Sequence, residues 1–70
     1  MYVRCKYGDT KYIIDAEREK VYKIEDDYAI PVNESMDSFI RFRPYLKVTE
    51  ETEITPNEII MYEKKRNGFE

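Results

Sequence analysis

The chain contains no histidine, a single cysteine and only two glycines. Without histidine it lacks the commonest general base and metal ligand of proteins. The isolated Gly8 and Gly68 cannot form a glycine-rich phosphate-binding loop. Adjacent carboxylates such as Asp26 and Asp27 are typical of a charged turn rather than of an acid–base pair. We therefore expect no enzymatic activity, no metal site and no cofactor.

The single cysteine excludes an internal disulfide. Cys5 alternates with Val3 and Tyr7 on one side of a predicted strand, a setting that favours a buried structural thiol over a nucleophile. No apolar run is long enough to span a membrane, and no segment resembles a signal peptide. These features predict a protein of the reducing cytoplasm that does not bind membranes.

Residues typical of helices are scarce, because the sequence has one leucine and two alanines against eight isoleucines, four valines and seven tyrosines. β-Branched and aromatic side chains are typical of strands. Seventy residues are enough for one domain with a small core. The composition therefore predicts a mainly β, α+β fold in which residues 1–70 form a single domain.

The first half of the chain shows four short runs with the alternation of β-strands. "MYVRCKY" and "KYIIDA" flank Gly8-Asp9, which suits a tight hairpin turn with glycine at its first central position. "KVYKIE" follows as a third strand, and Asp26-Asp27 separates it from "YAIPV". Pro31 lacks a backbone donor, so the fourth strand is expected at an edge of the sheet.

The segment "SFIRFRPYLKV" alternates between apolar and mainly charged or aromatic residues over ten positions. This pattern predicts a fifth strand over residues 38–48 that bends at Pro44. The preceding "NESMDS" is loop-like, with Ser35 as a candidate cap for one helical turn. The even-numbered side chains are expected in the core: Ile40, Phe42, Pro44, Leu46 and Val48.

The C-terminal segment fits two interpretations. Thr55 as N-cap, Pro56 at the first helical position, a basic last turn and Gly68 beyond it indicate a helix near 56–66. Alternatively, a turn at Pro56 leads into a last strand over "IIMYEKK". The helix has more independent signals, so the expected fold is a small antiparallel sheet or an SH3- or OB-like barrel of about five strands with a C-terminal helix.

The odd-numbered side chains of the predicted fifth strand are the main candidate site. Three interpretations stay open: pairing with the phosphates and bases of a single strand, pairing with an acidic partner protein, or ion pairs within the sheet to the cluster Glu50, Glu51 and Glu53. Tyrosine is also more abundant than a small core can bury, which favours an interface role for some of the rings. The candidate residues are Phe39, Arg41, Arg43, Tyr45, Lys47, Tyr28 and Tyr62.

The function expected from these features is binding of another protein by a small non-enzymatic module, with a homodimer as a further option. Phe, Tyr, Met, Ile, Asn and Lys total 31 residues against 12 for Gly, Ala, Arg and Pro, a usage typical of AT-rich genomes. This bias favours a phage or mobile-element inhibitor of a host defence or nucleic-acid-processing protein. The alternative is binding of single-stranded nucleic acid or a nucleotide through the arginine and aromatic face.

Overall fold

The structure is a computed structural model that describes residues 1–68. Its elements are β1 (Tyr2–Tyr7), β2 (Thr10–Asp15), β3 (Lys20–Glu25), β4 (Tyr28–Pro31), α1 (Met36–Arg41), β5 (Lys47–Thr52) and α2 (Asn57–Arg66). The five strands form one antiparallel sheet in the order β4-β3-β2-β1-β5. The predicted α+β fold with about five strands and a C-terminal helix is confirmed, and the sheet is not closed into a barrel.

The tight turns of the first four strands lie where the sequence predicts them. Gly8 begins the β1–β2 turn with a φ of 63°, a left-handed conformation that glycine adopts without steric cost. Asp26 has a φ of 56° in the β3–β4 turn, which aspartate tolerates better than most side chains. Pro31 ends β4 at one edge of the sheet, as expected from its missing backbone donor.

Both faces of the sheet are covered. Ile13 and Ile14 are consecutive in β2, so their side chains point to opposite faces, yet both are buried. Ile14 joins a cluster that contains Phe39 of α1, and Ile13 joins a cluster that contains Ile59 of α2. The two helices therefore lie on opposite faces, and the central strand contributes to two small cores.

The core on the α1 face is built around Phe39, which is fully buried. Its ring meets the ring of Tyr12 edge-on, with the centroids 4.8 Å apart. The Ser35 side chain accepts a hydrogen bond from the Ser38 amide at 3.1 Å and so caps the first turn of α1. Burial of the phenylalanine side chain contributes about 2–3 kcal/mol to folding, so it anchors this short helix on the sheet.

The prediction of a strand over residues 38–48 is wrong, because its first part is helix α1 and β5 begins only at Lys47. Helical spacing places Met36 and Phe39 on one side of α1, facing the sheet. Pro44 follows the helix and so does not interrupt its hydrogen bonds. The predicted core set is largely exposed as a result: Ile40, Phe42, Pro44 and Val48 face solvent, and only Leu46 is half-buried.

The C-terminal helix is confirmed with bounds close to those predicted, Asn57–Arg66. Pro56, rather than Thr55, occupies the cap position and makes no side-chain capping bond. The Thr55 hydroxyl instead donates to the Tyr2 hydroxyl at 3.3 Å. Neither helix of the described chain has the length and apolar character needed to cross a membrane.

Candidate functional site

The candidate residues of the segment 39–47 do not share one face. Phe39 lies in the core, whereas Arg41 projects from α1 and forms an ion pair with Asp37 at 2.7 Å. Tyr45 is 87% exposed in the turn between α1 and β5. Lys47 is exposed at the start of β5. The row expected from strand alternation is therefore not formed, because a helical turn separates residues that a strand would align.

Arg43 is held inside the protein rather than presented to a partner. Its guanidinium carbon lies 4.1 Å from the ring centroid of Phe39 and 5.9 Å from those of Tyr7 and Tyr12. One nitrogen donates to the Phe39 carbonyl at 3.2 Å and lies 3.3 Å from a Glu34 carboxylate oxygen. Arg43 thus fixes the chain after α1 to the core through stacking and ion pairing.

Arg41 and Arg43 form ion pairs within the protein, but not the cross-strand pairs that the internal interpretation expected. Arg41 and Arg43 pair with carboxylates of their own neighbourhood, Asp37 and Glu34. The cluster Glu50, Glu51 and Glu53 was the expected source of those carboxylates. It lies along and beyond β5. The expected partners were wrong because they followed from a strand register that the segment does not adopt.

Tyr28 and Tyr62 are both half-buried and lie away from β5. Tyr28 begins β4, at the other edge of the sheet, and the Lys65 ammonium lies 4.7 Å from its ring centroid. Tyr62 lies in α2. Of the three tyrosines predicted for an interface, Tyr45 alone is strongly exposed, so the structure does not bring the three rings together.

Exposed apolar side chains instead gather where α1 leads into β5. Ile40 is 46% exposed, Phe42 68%, Tyr45 87% and Val48 54%. We call these four residues the α1–β5 surface. Ile40 and Val48 line a shallow, mainly apolar groove of about 480 Å³, and Phe42 and Tyr45 adjoin two of its lining residues, Arg43 and Pro44, in the chain. The other walls are formed by Met36, Leu46, Val3, Ile14 and Ala16. Large apolar side chains scattered singly on a surface are ordinary, whereas a group beside an apolar groove is typical of an interaction site.

A row of lysines on the other side of the same strands was missed by the sequence analysis. Lys6 of β1 pairs in register with Lys11 of β2 and with Lys47 of β5. All three are exposed, and none forms an ion pair with another residue of the described chain. A two-residue turn at Gly8-Asp9 already implies the Lys6–Lys11 pair, but Lys47 joins them only through the long-range pairing of β5.

Arg4 of β1 connects its strand to α2 and to β5 on the α2 face of the sheet. Its guanidinium donates to the two Glu58 carboxylate oxygens at 2.7 and 3.2 Å, and its Nε lies 3.5 Å from a Glu50 oxygen. The hydrogen bonds from Arg4 lower the pKa of Glu58 below its ordinary value, and those to Glu58 raise the pKa of Arg4. This forked pair stabilises the docking of α2 on the sheet.

The buried titratable groups serve the fold. Burial raises the pKa of the Cys5 thiol, which disfavours the nucleophilic thiolate. The buried Asp15 carboxylate accepts hydrogen bonds from the Arg18 amide at 3.3 Å and its guanidinium at 3.1 Å, so its charge is balanced locally. Within residues 1–68 no group of three or more acidic, cysteine or histidine side chains is arranged to hold a metal ion.

Comparisons of the sequence and the fold with known proteins found no matching family model, no matching curated protein and no matching solved structure. No relative therefore assigns a role to the α1–β5 surface. Its chemistry is that of an apolar groove beside exposed rings on a sheet with one open edge, β5.

Proposed function

We propose that the chain is a small non-enzymatic module that binds another protein through the α1–β5 surface. The observation that carries this proposal is the exposure of Ile40, Phe42, Tyr45 and Val48 beside an apolar groove. A protein with so small a core gains stability from every apolar side chain that it buries. A partner protein that covers these four side chains explains why the folded chain leaves them in water.

The surface has the features of a binding hot spot. Phenylalanine and tyrosine supply large, rigid contact areas, and tyrosine adds a polar tip that stays solvated or hydrogen-bonded. Arg43 holds the chain between Phe42 and Tyr45 against the core, so these rings are presented from an anchored turn. Anchoring lowers the conformational entropy that binding must overcome.

The proposed setting is the cytoplasm, in agreement with the free, buried Cys5. The amino-acid usage favours a phage or mobile-element origin, and inhibition of a host protein is the role that we propose in that setting. A binding surface without catalytic groups suits an inhibitor, because occupying a host surface requires only affinity. The partner is expected to be a defence or nucleic-acid-processing protein.

The nucleic-acid alternative has less support. It depends on Phe39, Arg41, Arg43 and Tyr45 sharing one strand face. In the structure Phe39 is buried and Arg43 forms an ion pair with Glu34. Exposed Tyr45 and the lysine row remain as groups able to contact phosphates and bases. Tyr45 lies in the turn before β5, whereas the three lysines lie on the strands β1, β2 and β5.

The test is a comparison of proteins captured by three matched baits. The double variant Phe42→Ser/Tyr45→Ser removes the two most exposed rings of the α1–β5 surface. The control is Ile54→Ser, because Ile54 is 78% exposed but lies outside that surface. We expect a partner that co-purifies with the wild-type chain and with the control, and that the double variant loses by at least about tenfold in affinity, a loss equivalent to 1.4 kcal/mol.

Direct titration of the purified partner by calorimetry then measures the affinities. Identical sets of proteins on all three baits contradict the proposal. Circular dichroism of each bait shows whether it is folded. A fluorescent single-stranded oligonucleotide tests the alternative: binding that weakens steeply with salt and survives in the double variant supports nucleic-acid recognition instead.

A further inference from the structure

β5 is an open edge strand with opposite charges at its two ends. Lys47 begins it, and Glu50 and Glu51 lie near its other end. Every residue of the strand except Thr52 is exposed. No helix covers it in the described part of the chain in the way that α2 covers β4. An uncovered edge presents unpaired backbone donors and acceptors to a further strand.

The basic end of β5 carries an electrostatic cost within the single molecule. Lys47 stands in register with Lys6, which stands in register with Lys11. Like charges directly opposite each other destabilise a sheet. This row ends at the open edge, so the next strand outward is the place from which a carboxylate would neutralise Lys47.

The other end of β5 has an excess of negative charge. Glu51 forms no ion pair with another described residue, and Glu50 shares Arg4 with Glu58. Glu53 follows directly and lies 3.9 Å from the terminal amine of Met1. A strand added at this end therefore meets an excess of negative charge, so the favoured strand carries its positive charge here and its negative charge beside Lys47.

The strand that satisfies both ends in antiparallel orientation is β5 itself. We infer that β5 pairs with β5 of a second copy of this chain, about a twofold axis perpendicular to the sheet. The axis places Lys47 of each copy beside Glu50 of the other, because both side chains lie on the α2 face of the sheet. The ion pair between Lys47 and Glu50 then forms twice in one symmetric contact, as isologous interfaces require. This inference is independent of the binding of a different protein proposed above.

One feature of β5 opposes the pairing. The register with β1 shifts between Arg4 and Cys5, which leaves Thr49 as the extra residue of a β-bulge, and bulges bend edge strands away from new partners. The Thr49 hydroxyl donates to the Arg4 carbonyl at 3.2 Å and holds the bulge in place. Backbone pairing is thus confined to the segments before and after Thr49, where the charges lie.

The twofold axis has a geometric consequence for the α1–β5 surface. A rotation about an axis perpendicular to the sheet keeps each face on its own side. The α1 helices of the two copies therefore lie on the same face of the joined sheet. Val48 of one copy approaches Val48 of the other, and the two apolar grooves become parts of one larger surface.

The test reverses charges on β5, mixes the resulting variants and measures the association of each sample by sedimentation equilibrium. Lys47→Glu places like charges across the twofold axis, and Glu50→Lys does the same from the other end. Each charge reversal replaces an attractive cross-strand pair by a repulsive one twice per dimer, so each variant is expected to raise the dimer Kd by about tenfold or more. An equimolar mixture of the two variants is expected to form a heterodimer.

Matched controls change the same charges elsewhere. Lys64→Glu and Glu19→Lys lie on α2 and in the β2–β3 turn and are both exposed. We expect their dimer Kd to remain within about twofold of the wild-type value. Lys47→Glu also gains an opposite charge beside Lys6, so its monomer is expected to stay folded, which circular dichroism checks.

Two results overturn the inference. One is a wild-type chain that stays monomeric at millimolar concentration. The other is a dimer that responds equally to the β5 variants and to their controls, or that dissociates in Phe42→Ser/Tyr45→Ser instead. The proposed function is judged by capture of a different protein, so a monomeric chain that retains its partner rejects the dimer alone.

Discussion

The two edge strands of the sheet differ in length, sequence and cover. β4 has four residues, ends in Pro31 and packs against α2, with Ala29 fully buried beneath Ile59. β5 has six residues, no proline and almost no buried side chain. Short strands, proline and a covering helix are the means by which proteins protect edges from pairing. The fold thus covers the β4 edge, which we call the closed edge, and leaves β5 as the open edge.

The β4 edge contributes to the stability of the fold, whereas the β5 edge carries the proposed interaction surface. At the closed edge, Ala29 of β4 packs with Ile59 of α2 in a buried cluster. The open edge is joined to the sheet mainly by its pairing with β1, and its apolar side chains lie in water. Substitutions at the closed edge are therefore expected to change folding, and substitutions at the open edge to change association.

The largest expected effect is at the closed edge. Ile59→Ala removes the α2 side chain that covers Ala29, and the loss of buried surface plus the cavity left behind is expected to lower the free energy of unfolding by about 2–4 kcal/mol. The matched change at the open edge is Val48→Ala. Val48 is 54% exposed, so the expected loss is below about 1 kcal/mol. Urea denaturation of both variants measures the contrast, and equal losses contradict it.

An intermediate effect is expected at the ion pair that links β1 to α2. Arg4 lowers the pKa of Glu58 in the folded state, so the pair adds stability above the ordinary pKa of 4.5 and loses it as the pH falls through the lower folded-state pKa. Glu58→Gln is expected to cost about 1 kcal/mol at neutral pH, because both groups are partly exposed. The cost is expected to vanish in acid, where the wild-type side chain is also neutral.

Urea denaturation of the wild-type protein and the Gln variant at both pH values tests this prediction. A difference that stays constant with pH assigns the effect to packing of α2 rather than to the charge of Glu58. Glu50→Gln is the matched change on the open edge. Among residues 1–68 its carboxylate forms an ion pair with Arg4 Nε alone, at 3.5 Å, and it is more exposed than Glu58, so a smaller loss of stability is expected.

The smallest expected effect is at the margin of the closed edge. The Lys65 ammonium lies 4.7 Å from the Tyr28 ring centroid, and both residues are accessible to solvent. Lys65→Gln is expected to lower the free energy of unfolding by about 0.5 kcal/mol. Lys64→Gln removes the same charge from the same helical turn without a ring beneath it. Thermal unfolding of the two variants side by side separates the contact with Tyr28 from the helix dipole.

Local patterns were sufficient to predict most of the sheet. The first four strands, their turns at Gly8 and Asp26 and the edge position of Pro31 follow from alternation and turn chemistry. The C-terminal helix follows from its basic last turn and from Pro56 near its start. These features depend on interactions between residues close in sequence, which is why the sequence alone was informative.

The segment 38–48 shows why the candidate site was not predictable. Its alternation fits a strand, but Met36, Phe39 and Arg43 are also spaced for one side of a helix followed by a turn. The choice depends on the space above Cys5, Tyr12 and Ile14, which Phe39 fills in the folded structure. That choice buries Phe39 and exposes Ile40, Phe42 and Val48, so three residues expected in the core became part of the candidate surface.

Composition and short-range spacing predict the fold class and the short hairpins, and the lack of histidine excludes chemistry that depends on it. The position of β5 beside β1, the row of lysines that this pairing completes and the exposure of Phe42 and Val48 follow only from the folded arrangement of the chain. These depend on contacts between residues more than forty positions apart, such as Arg4 with Glu50. Contacts of that kind arise from packing the whole chain, and no local pattern specifies them.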